Sequence, residues 1–205
     1  MINERDFLKN KKQALEKLEH AKKKDLVDTG IISIIDLINS YDDYYTSSSC
    51  YGRIVLLEIP EIGDKKNAKW LGKWHRKINT EEILNAFKKA DRGFIWILAQ
   101  SPIIHVFSKN LESANKLVKT AIGCGFKNSG FKSSEKNIVV EVASTERLDS
   151  PVGENGVLFC DEEYLSLLVD IANEVIDKSS VKLEKFEKKL QNKSRSHYIF
   201  FIKIK

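Results

Sequence analysis

The sequence predicts an α+β fold in a single domain spanning residues 1–205, with a mixed β-sheet flanked by helices and no Rossmann arrangement. Of the 205 residues, 42% are hydrophobic, which is enough for one sizeable core. The predicted helices and strands alternate irregularly, without the repeated strand-loop-helix unit of a doubly wound sheet. No GxGxxG sequence lies between a predicted strand and a helix, so a Rossmann-type nucleotide site has no support.

The first forty residues predict two helices. Apolar residues recur at three-to-four spacing among lysines and glutamates, which predicts an amphipathic helix over about residues 4–24 with a basic polar face. Asp28 or Thr29 is expected to cap a second helix that continues to Tyr41 and directs four isoleucines inward.

The next part of the chain predicts short strands and one helix. Strands over residues 44–47 and 53–59 flank a Ser/Gly-rich turn, and a further extended stretch covers residues 70–74. Thr80, followed by two glutamates, predicts a capped helix that ends near Ala90.

The rest of the chain alternates between strands and helices. Strands are predicted over residues 94–99, 103–107, 138–142 and 198–204, the last returning to the sheet. Asn110 is expected to cap a helix that Gly123 and Gly125 stop, and another helix is predicted to start near Asp161.

Both ends of the chain are basic. Residues 1–26 contain eight Lys or Arg against five Asp or Glu, and residues 178–205 contain nine against two. Residues 27–177 contain seventeen against twenty-two. A basic helix at about residues 4–24 and a basic segment at 178–205 are what a polyphosphate partner requires, although a solvated lysine-rich surface explains the charge equally well.

The sequence also predicts where the protein works and which sites it lacks. It has no apolar run of about 18 residues and no secretory layout at its start, so we expect a cytoplasmic protein that does not enter a membrane. The three cysteines lie far apart without a CxxC pair, so we expect thiols rather than a metal site or a disulfide framework.

The densest polar cluster runs from Thr46 to Arg53. Its hydroxyls, including those of Ser48 and Ser49, can surround a carboxylate, a ribose or a phosphate, while Arg53 supplies a two-pronged cation. A turn whose hydroxyls bond its own backbone is an equally good interpretation. Cys50 is a candidate nucleophile, but the sequence assigns no base to it.

Residues 65–77 combine basic and aromatic side chains. The segment contains six Lys or Arg, two tryptophans and a histidine, with no acid. Cations that hold a backbone and rings that stack on bases are typical of single-stranded RNA binding, whereas an exposed hairpin would turn its tryptophans to the core. Because no acid in the segment offsets the lysines, we favour RNA binding by Lys69, Trp70, Lys73, Trp74, Arg76 and Lys77.

Three side chains are candidates for moving protons. They are Asp28, His75 and His105. Asp28 is also explained as a helix cap. His105 lies in a predicted strand, where a histidine is usually a hydrogen-bonded core residue.

Several short motifs occur along the chain in an order that is typical of one family. They are Val27-Asp28, Leu37-Ile38-Asn39-Ser40, Asp43-Tyr44, Thr46 to Arg53, Trp70 to His75, Pro102 to Val106, Gly125 to Gly130, Ser144 to Leu148, Pro151, Tyr164 and Ala172-Asn173. The Ser-Ser-Cys-x-Gly-Arg and Gly-Phe-x-Asn-Ser-Gly motifs are the most specific. In this combination the sequence resembles the tRNA wybutosine-synthesising protein 3 family, known from eukaryotes and archaea.

The resemblance implies a reaction, a cofactor and a partner. It implies methyl transfer from S-adenosyl-L-methionine to ring nitrogen N4 of 4-demethylwyosine or its aminocarboxypropyl derivative, at the nucleotide 3′ of the anticodon of phenylalanine tRNA. The expected catalytic residues are Asp28, His75, Ser49 and Cys50. The expected cofactor-binding residues are Ser48, Arg53, His105, Asn128, Ser129, Gly130, Ser144 and Thr145. Two alternatives remain, a non-catalytic tRNA-binding module and a Cys50-dependent transferase or hydrolase.

Overall fold

The computed structural model describes residues 3–132 and 137–202, with side chains described as far as residue 192. Within them the chain forms the helices α1 (Glu4–Lys23), α2 (Ile32–Ser40), α3 (Thr80–Phe87), α4 (Leu111–Gly123) and α5 (Glu162–Ile202), with a 3-10 turn at Thr29–Ile31. The strands are β1 (Tyr44–Cys50), β2 (Arg53–Ile59), β3 (Lys69–Trp74), β4 (Phe94–Gln100), β5 (Ile103–Ser108), β6 (Gly130–Phe131), β7 (Ile138–Ala143), β8 (Arg147–Glu154) and β9 (Val157–Leu158). The predicted α+β class is confirmed.

The chain divides into two compact units, and each has its own sheet and core. The first unit comprises Met1–Tyr51, Pro102–Thr145 and Ser180–Lys205, and the second comprises Gly52–Ser101 and Glu146–Ser179. That residues 1–205 form a single domain stays a prediction.

The first unit is built on a sheet with the strand order β1-β5-β7-β6. One face of this sheet packs against α2, α4 and the later part of α5, and the core includes Ile35, Ile104, Val140, Leu117 and Phe186. Each of these side chains is at most 2% exposed, and burying such a side chain stabilises the fold by about 1.5–3 kcal/mol.

The second unit is built on a sheet with the strand order β3-β2-β4-β8-β9. Its core combines β2 and β4 residues such as Ile54 and Ile97 with α5 residues such as Leu165 and Ala172. The buried carboxylate of Glu58 accepts hydrogen bonds from the backbone N–H groups of residues 91 and 92, at 2.6 and 2.7 Å. These bonds fix the connection that leads into β4.

The strand directions are simpler than the sequence predicted. Every strand pair that the structure describes is antiparallel, so two antiparallel sheets replace the expected mixed sheet. Antiparallel sheets need no crossover helices, which agrees with the irregular order of helices and strands and with the expected non-Rossmann fold.

Two predicted segments are wrong. The turn expected after residue 47 does not begin there, because Ser48, Ser49 and Cys50 continue β1. The strand predicted over residues 198–204 is helical in the backbone as far as Ile202, and residues 203–204 lie outside the described residues. Leu183, Phe186 and Leu190 carry the apolar face of α5 into the first core, so this helix is already well established before the predicted strand would begin.

The helix caps are confirmed at some positions and shifted at others. Asn110 caps α4 by accepting from the backbone N–H of Ser113, and Gly125 follows the helix with a φ of 103°. α3 is capped by Asn79 in a capping box with Glu82, one residue before the predicted Thr80. Asp28 precedes the 3-10 turn without a side-chain capping bond. In the described residues, no helix is both long and apolar enough to cross a membrane.

Candidate functional site

The serine run forms the second half of β1, and a bulge sets the direction of its side chains. Thr46 pairs with Val106 of β5 and Ser48 pairs with His105, so Ser47 is an extra residue. In a regular strand Ser48 would lie on the same face as Thr46, which is buried. The bulge therefore turns Ser48 to the opposite face, where His105 lies.

Ser48, His105 and Glu141 form a hydrogen-bonded chain across three strands. The Ser48 Oγ lies 2.8 Å from His105 Nδ1, and His105 Nε2 lies 2.9 Å from Glu141 Oε2. Lys132 Nζ lies 3.6 Å from the other oxygen of Glu141. Both ring nitrogens of His105 are therefore engaged, and its imidazole can act on a ligand only through Ser48.

A cavity of about 620 Å³ lies between α1 and this face of the sheet. Tyr45 and Phe107, whose rings stack with centroids 4.7 Å apart, form part of its apolar lining. Its polar lining consists of Asn10, Gln13, Lys17, Ser47, Ser48, Ser49, Thr46 and Asn137. Ser48 thus joins the cavity to the chain that ends at Glu141.

Asp28 and Tyr51 lie at a second polar position of the first unit. The Asp28 carboxylate accepts the backbone N–H of Tyr51 at 2.9 Å instead of capping the 3-10 turn. The Tyr51 ring lies against Gly30, where an added Cβ would be 2.5 Å from the ring, and its hydroxyl is 2.8 Å from Ser180 Oγ. These contacts hold Asp28 in a defined position at the end of β1.

The Asn-Ser-Gly motif folds against the end of β7. The backbone N–H of Asn128 donates to the carbonyl of Ala143, and Ser129 Oγ accepts the Ala143 N–H at 3.1 Å. Gly130 begins β6. Ser129 is thereby used to shape the loop, while the Asn128 side chain is exposed.

The predicted pair Ser144 and Thr145 divides into a buried and an exposed residue. Ser144 is 8% exposed, and its hydroxyl accepts a hydrogen bond from Lys182 Nζ at 2.7 Å. Thr145 is exposed. The Lys182 side chain passes next to Gly125, where an added Cβ would lie 3.0 Å from its Cε.

Arg53 lies in the second unit, at the start of β2. Its Nε donates to Gln100 Oε1 at 2.6 Å, and its guanidinium carbon lies 4.9 Å from the centre of the Trp70 ring. Lys73 Nζ lies 5.8 Å from the same ring. Trp70 is 51% exposed, so one aromatic face is held among cations at the surface.

The two tryptophans of β3 have different environments. The Trp74 ring crosses Gly72, where an added Cβ would lie 2.1 Å from Cη2, and it packs against the core of the second unit. Trp74 thus follows the interpretation in which a tryptophan faces the core, whereas Trp70 is exposed and its contact with RNA stays a prediction. His75 follows β3 and is partly buried.

Acids from elsewhere in the second unit neutralise part of the basic segment. Arg76 makes two hydrogen bonds to the carboxylate of Glu82, at 2.7 and 3.1 Å, which lower the pKa of Glu82. Lys77 pairs with Asp177 at 3.1 Å, and Lys69 Nζ lies 3.4 Å from Glu58. Counting charges within residues 65–77 alone therefore gives too high a value for the positive charge that a partner would meet.

The structure brings together only part of the predicted set within each unit. Ser48 and His105 are in contact, and so are Arg53 and Trp70. Sequence reasoning missed Glu141 and Lys182, which contact predicted residues. Glu141 was detectable as the lone acid in an apolar strand, whereas nothing local marks Lys182 among the other lysines of α5.

The comparisons with known proteins cover most of the chain. Residues 9–192 match the sequence model of the family described as "Methyltransferase TYW3". The chain belongs to this family. A relative from Pyrococcus horikoshii is 49% identical over 93% of this chain and 97% of its own length, and its name is tRNA(Phe) 7-((3-amino-3-carboxypropyl)-4-demethylwyosine(37)-N(4))-methyltransferase 1. A relative from Methanocaldococcus jannaschii with the same enzyme name is 44% identical over 82% of this chain and 88% of its own.

Solved structures of similar chains share this fold. The structure titled "Structure of PH1069 protein from Pyrococcus horikoshii" is 49% identical and has a TM-score of 0.87, covering 91% of this chain and 97% of that one. A hypothetical protein from Aeropyrum pernix, 25% identical, has a TM-score of 0.71 over 80% of this chain and 98% of that one. The resemblance inferred from the motifs is confirmed.

Proposed function

We propose that this chain methylates ring nitrogen N4 of the aminocarboxypropyl derivative of 4-demethylwyosine in phenylalanine tRNA, with S-adenosylmethionine as the methyl donor. The main support is the relative from Pyrococcus horikoshii, which is 49% identical over 93% of this chain and whose name states that acceptor. Of the two acceptors that the motifs left open, the relatives' names favour the aminocarboxypropyl derivative. We expect the reaction to take place in the cytoplasm, at the anticodon loop.

The polar groups of the first unit fit the methyl donor. Ser48 and Ser49 offer hydroxyls at the end of β1, and Lys17 offers a cation in the same cavity. Tyr45 and Phe107 supply apolar surface beside them. S-Adenosylmethionine supplies a methyl group that is already activated on a sulfonium, so the protein must mainly align the acceptor nitrogen and remove its proton.

Asp28 and His75 remain the two candidates for accepting that proton. Asp28 is held by the backbone N–H of Tyr51, which fixes one carboxylate oxygen in place. His75 is partly buried at the end of β3, in the segment proposed to meet the tRNA. A positioned base contributes about 10²–10⁴-fold to the reaction rate. Replacing the residue that acts as the base should therefore slow methyl transfer measurably, and replacing the other should not.

Trp70 is the proposed stacking surface for an unpaired base of the anticodon loop. Its half-exposed ring lies close to Arg53 and Lys73, which can hold neighbouring phosphates. Trp74 supports β3 from the core side, and the remaining basic side chains add charge that their acid partners reduce.

A transfer assay tests the proposal. The protein is incubated with methyl-labelled S-adenosylmethionine and tRNA from cells that lack the late wyosine pathway, and the tRNA is digested to nucleosides for mass analysis. We expect one methyl group on the tricyclic base and none on the other nucleosides. Binding of the tRNA without any methylated product would instead identify a non-catalytic tRNA-binding module.

Single-turnover rates then identify the base. Asp28→Ala and His75→Ala are compared with His20→Ala, which removes an exposed histidine of α1 outside the cavity. The variant that lacks the base should be slower by a hundredfold or more. A rate within twofold of the wild type removes that residue from the role.

A further inference from the structure

The hydrogen-bonded chain ending at Ser48 determines what Ser48 can offer to a ligand. A carboxylate only accepts hydrogen bonds, so in the neutral imidazole the contact of Glu141 Oε2 with His105 Nε2 places the single ring proton on Nε2. His105 Nδ1 then accepts the Ser48 hydroxyl proton across 2.8 Å. The lone pairs of Ser48 Oγ are left for the ligand, and Ser48 acts as an acceptor rather than a donor.

The rest of the cavity lining supplies the opposite chemistry. Lys17 supplies a cation to the lining, and Asn10, Gln13 and Asn137 offer amide groups. None of the lining residues in the described part of the chain is an Asp or Glu. At Ser48 a phosphate oxygen would meet only lone pairs, and at Lys17 an ammonium group would meet another cation, so the two positions favour groups of opposite charge.

A group that carries an ammonium and a carboxylate on one carbon suits both the acceptor at Ser48 and the cation at Lys17. We propose that this cavity binds an α-amino acid group, with its ammonium at Ser48 and its carboxylate at Lys17. The methylene chain of such a group would lie against Tyr45 and Phe107, whose rings form part of the apolar lining.

This inference rests on the proposed function, which offers two sources for the group. The methionine end of the methyl donor is one source. The aminocarboxypropyl substituent of the acceptor is the other. The two share the same chemistry but belong to different molecules, so they can be tested separately.

Binding measurements test the donor as the source. The dissociation constants of S-adenosylhomocysteine, which keeps the amino acid group, and of 5′-methylthioadenosine, which lacks it, are measured by calorimetry for the wild type, Ser48→Ala and Lys17→Ala. Loss of one hydrogen bond to a charged group weakens binding by about tenfold or more. We expect this loss for S-adenosylhomocysteine alone. Lys12→Ala, which removes another exposed lysine of α1 that does not line the cavity, is the matched control.

Steady-state kinetics test the acceptor as the source. Two tRNAs are compared, one with 4-demethylwyosine and one with its aminocarboxypropyl derivative. If the acceptor occupies the cavity, Ser48→Ala and Lys17→Ala should raise the KM of the second tRNA by about tenfold and leave that of the first within twofold. Changes below twofold for every probe, relative to Lys12→Ala, would overturn the amino acid site.

Glu141 is the positioning residue in this arrangement. In Glu141→Gln the amide can donate to His105 Nε2, which moves the imidazole proton to Nδ1 and directs it at Ser48 Oγ. The KM of whichever molecule supplies the amino acid group should rise by about tenfold while kcat stays within twofold, because the reacting atoms are untouched. Ser48→Thr keeps the hydroxyl and should restore binding relative to Ser48→Ala. A fall in kcat without a change in KM would overturn this role.

The two proposals fail in different ways. A wild-type protein that transfers no methyl group to either tRNA counts against the proposed function. An active wild type whose probes do not distinguish Ser48→Ala from Lys12→Ala counts against the amino acid site alone. Thermal unfolding of each variant shows whether the cavity variants remain folded, which the surface positions of Ser48 and Lys17 lead us to expect.

Discussion

The side-chain amide of Asn39 in α2 holds Thr46, the last residue of β1 before its bulge. Asn39 Oδ1 accepts the Thr46 backbone N–H at 2.8 Å, and Asn39 Nδ2 donates to Thr46 Oγ1 at 3.0 Å. Both residues are buried, so neither can exchange these bonds for water. The start of the serine run is therefore fixed by a residue of a neighbouring helix.

Asn39→Ala should destabilise the protein by about 2–3 kcal/mol, because it leaves the buried Thr46 groups without partners. Urea unfolding followed by circular dichroism measures the change. Asn85→Ala, at an exposed position of α3, is the control and should change stability by less than about 0.5 kcal/mol. Equal stability of the two variants would show that the Asn39 bonds are not needed.

Tyr44 should make stability depend on pH above pH 10. Its hydroxyl donates to the Ser113 carbonyl at 2.7 Å, and burial, together with the nearby Asp43, raises its pKa to about 12. The folded state holds this proton more tightly than the unfolded state, whose tyrosine titrates near its ordinary pKa of about 10. The contribution is complete below pH 10 and is lost as the pH rises towards 12.

Tyr44→Phe should therefore lose less stability than the wild type between pH 10 and 11, although it starts about 1–2 kcal/mol lower for want of the hydrogen bond. Urea unfolding at pH 8, 10 and 11 measures both effects. Tyr164→Phe changes an exposed tyrosine and should follow the wild type at each pH. Parallel pH curves for Tyr44→Phe and the wild type would contradict the expected titration.

Replacing the two tryptophans of β3 should separate binding from stability. Trp70→Ala should weaken tRNA binding by about 1–3 kcal/mol, the usual value for base stacking, with little effect on folding because the ring is half exposed. Trp74→Ala should instead destabilise the fold by about 2–4 kcal/mol because its ring packs against the core. Fluorescence anisotropy with labelled tRNA and urea unfolding give the two quantities. Trp70→Phe should retain part of the affinity.

Gly72→Ala should cost about 1–3 kcal/mol, because the new methyl group would occupy the space of the Trp74 ring. Gly123→Ala is the matched control, since an added Cβ there meets no atom within 4 Å. Thermal unfolding compares the two variants. In the Trp74→Leu background, Gly72→Ala should cost less than it does in the wild type, and an equal cost in both backgrounds would show that the ring contact is not the cause.

The salt dependence of tRNA binding should reveal which cations meet phosphates. Lys73→Ala should reduce the slope of log affinity against log salt by roughly 0.7–1, the value for one phosphate contact. Arg76→Ala should have a smaller effect because Glu82 already neutralises Arg76. The double variant Arg76→Ala/Glu82→Gln should have the slope of the wild type. Equal losses for Lys73→Ala and Arg76→Ala would refute this division.

Local patterns in the sequence predicted much of the fold. The apolar spacing and Asn110 identified α1 and α4, because helix periodicity and capping depend on neighbouring residues. The end of α5 was missed, although Leu183, Phe186 and Leu190 continue the helical spacing. The apolar run over residues 198–204 favoured a strand there, because a short apolar run is typical of a buried strand as well as of a helix.

The candidate site was less predictable, because its geometry depends on distant residues. The bulge at Ser47 cannot be identified from alternation, since one extra residue reverses the faces of all that follow. Glu82, Asp177 and Glu58 reach the basic segment from other elements, so the composition of residues 65–77 could not show them. The motifs identified the family, but the contacts of Ser48 required coordinates.

The half-exposed ring of Trp70 also gives the protein an intrinsic optical reporter. Of its three tryptophans, Trp74 and Trp96 are mostly covered, so a base that stacks on Trp70 would quench mainly the red-shifted part of the emission. Titration of unlabelled tRNA can therefore be followed by fluorescence spectra alone, and the signal should disappear in Trp70→Ala.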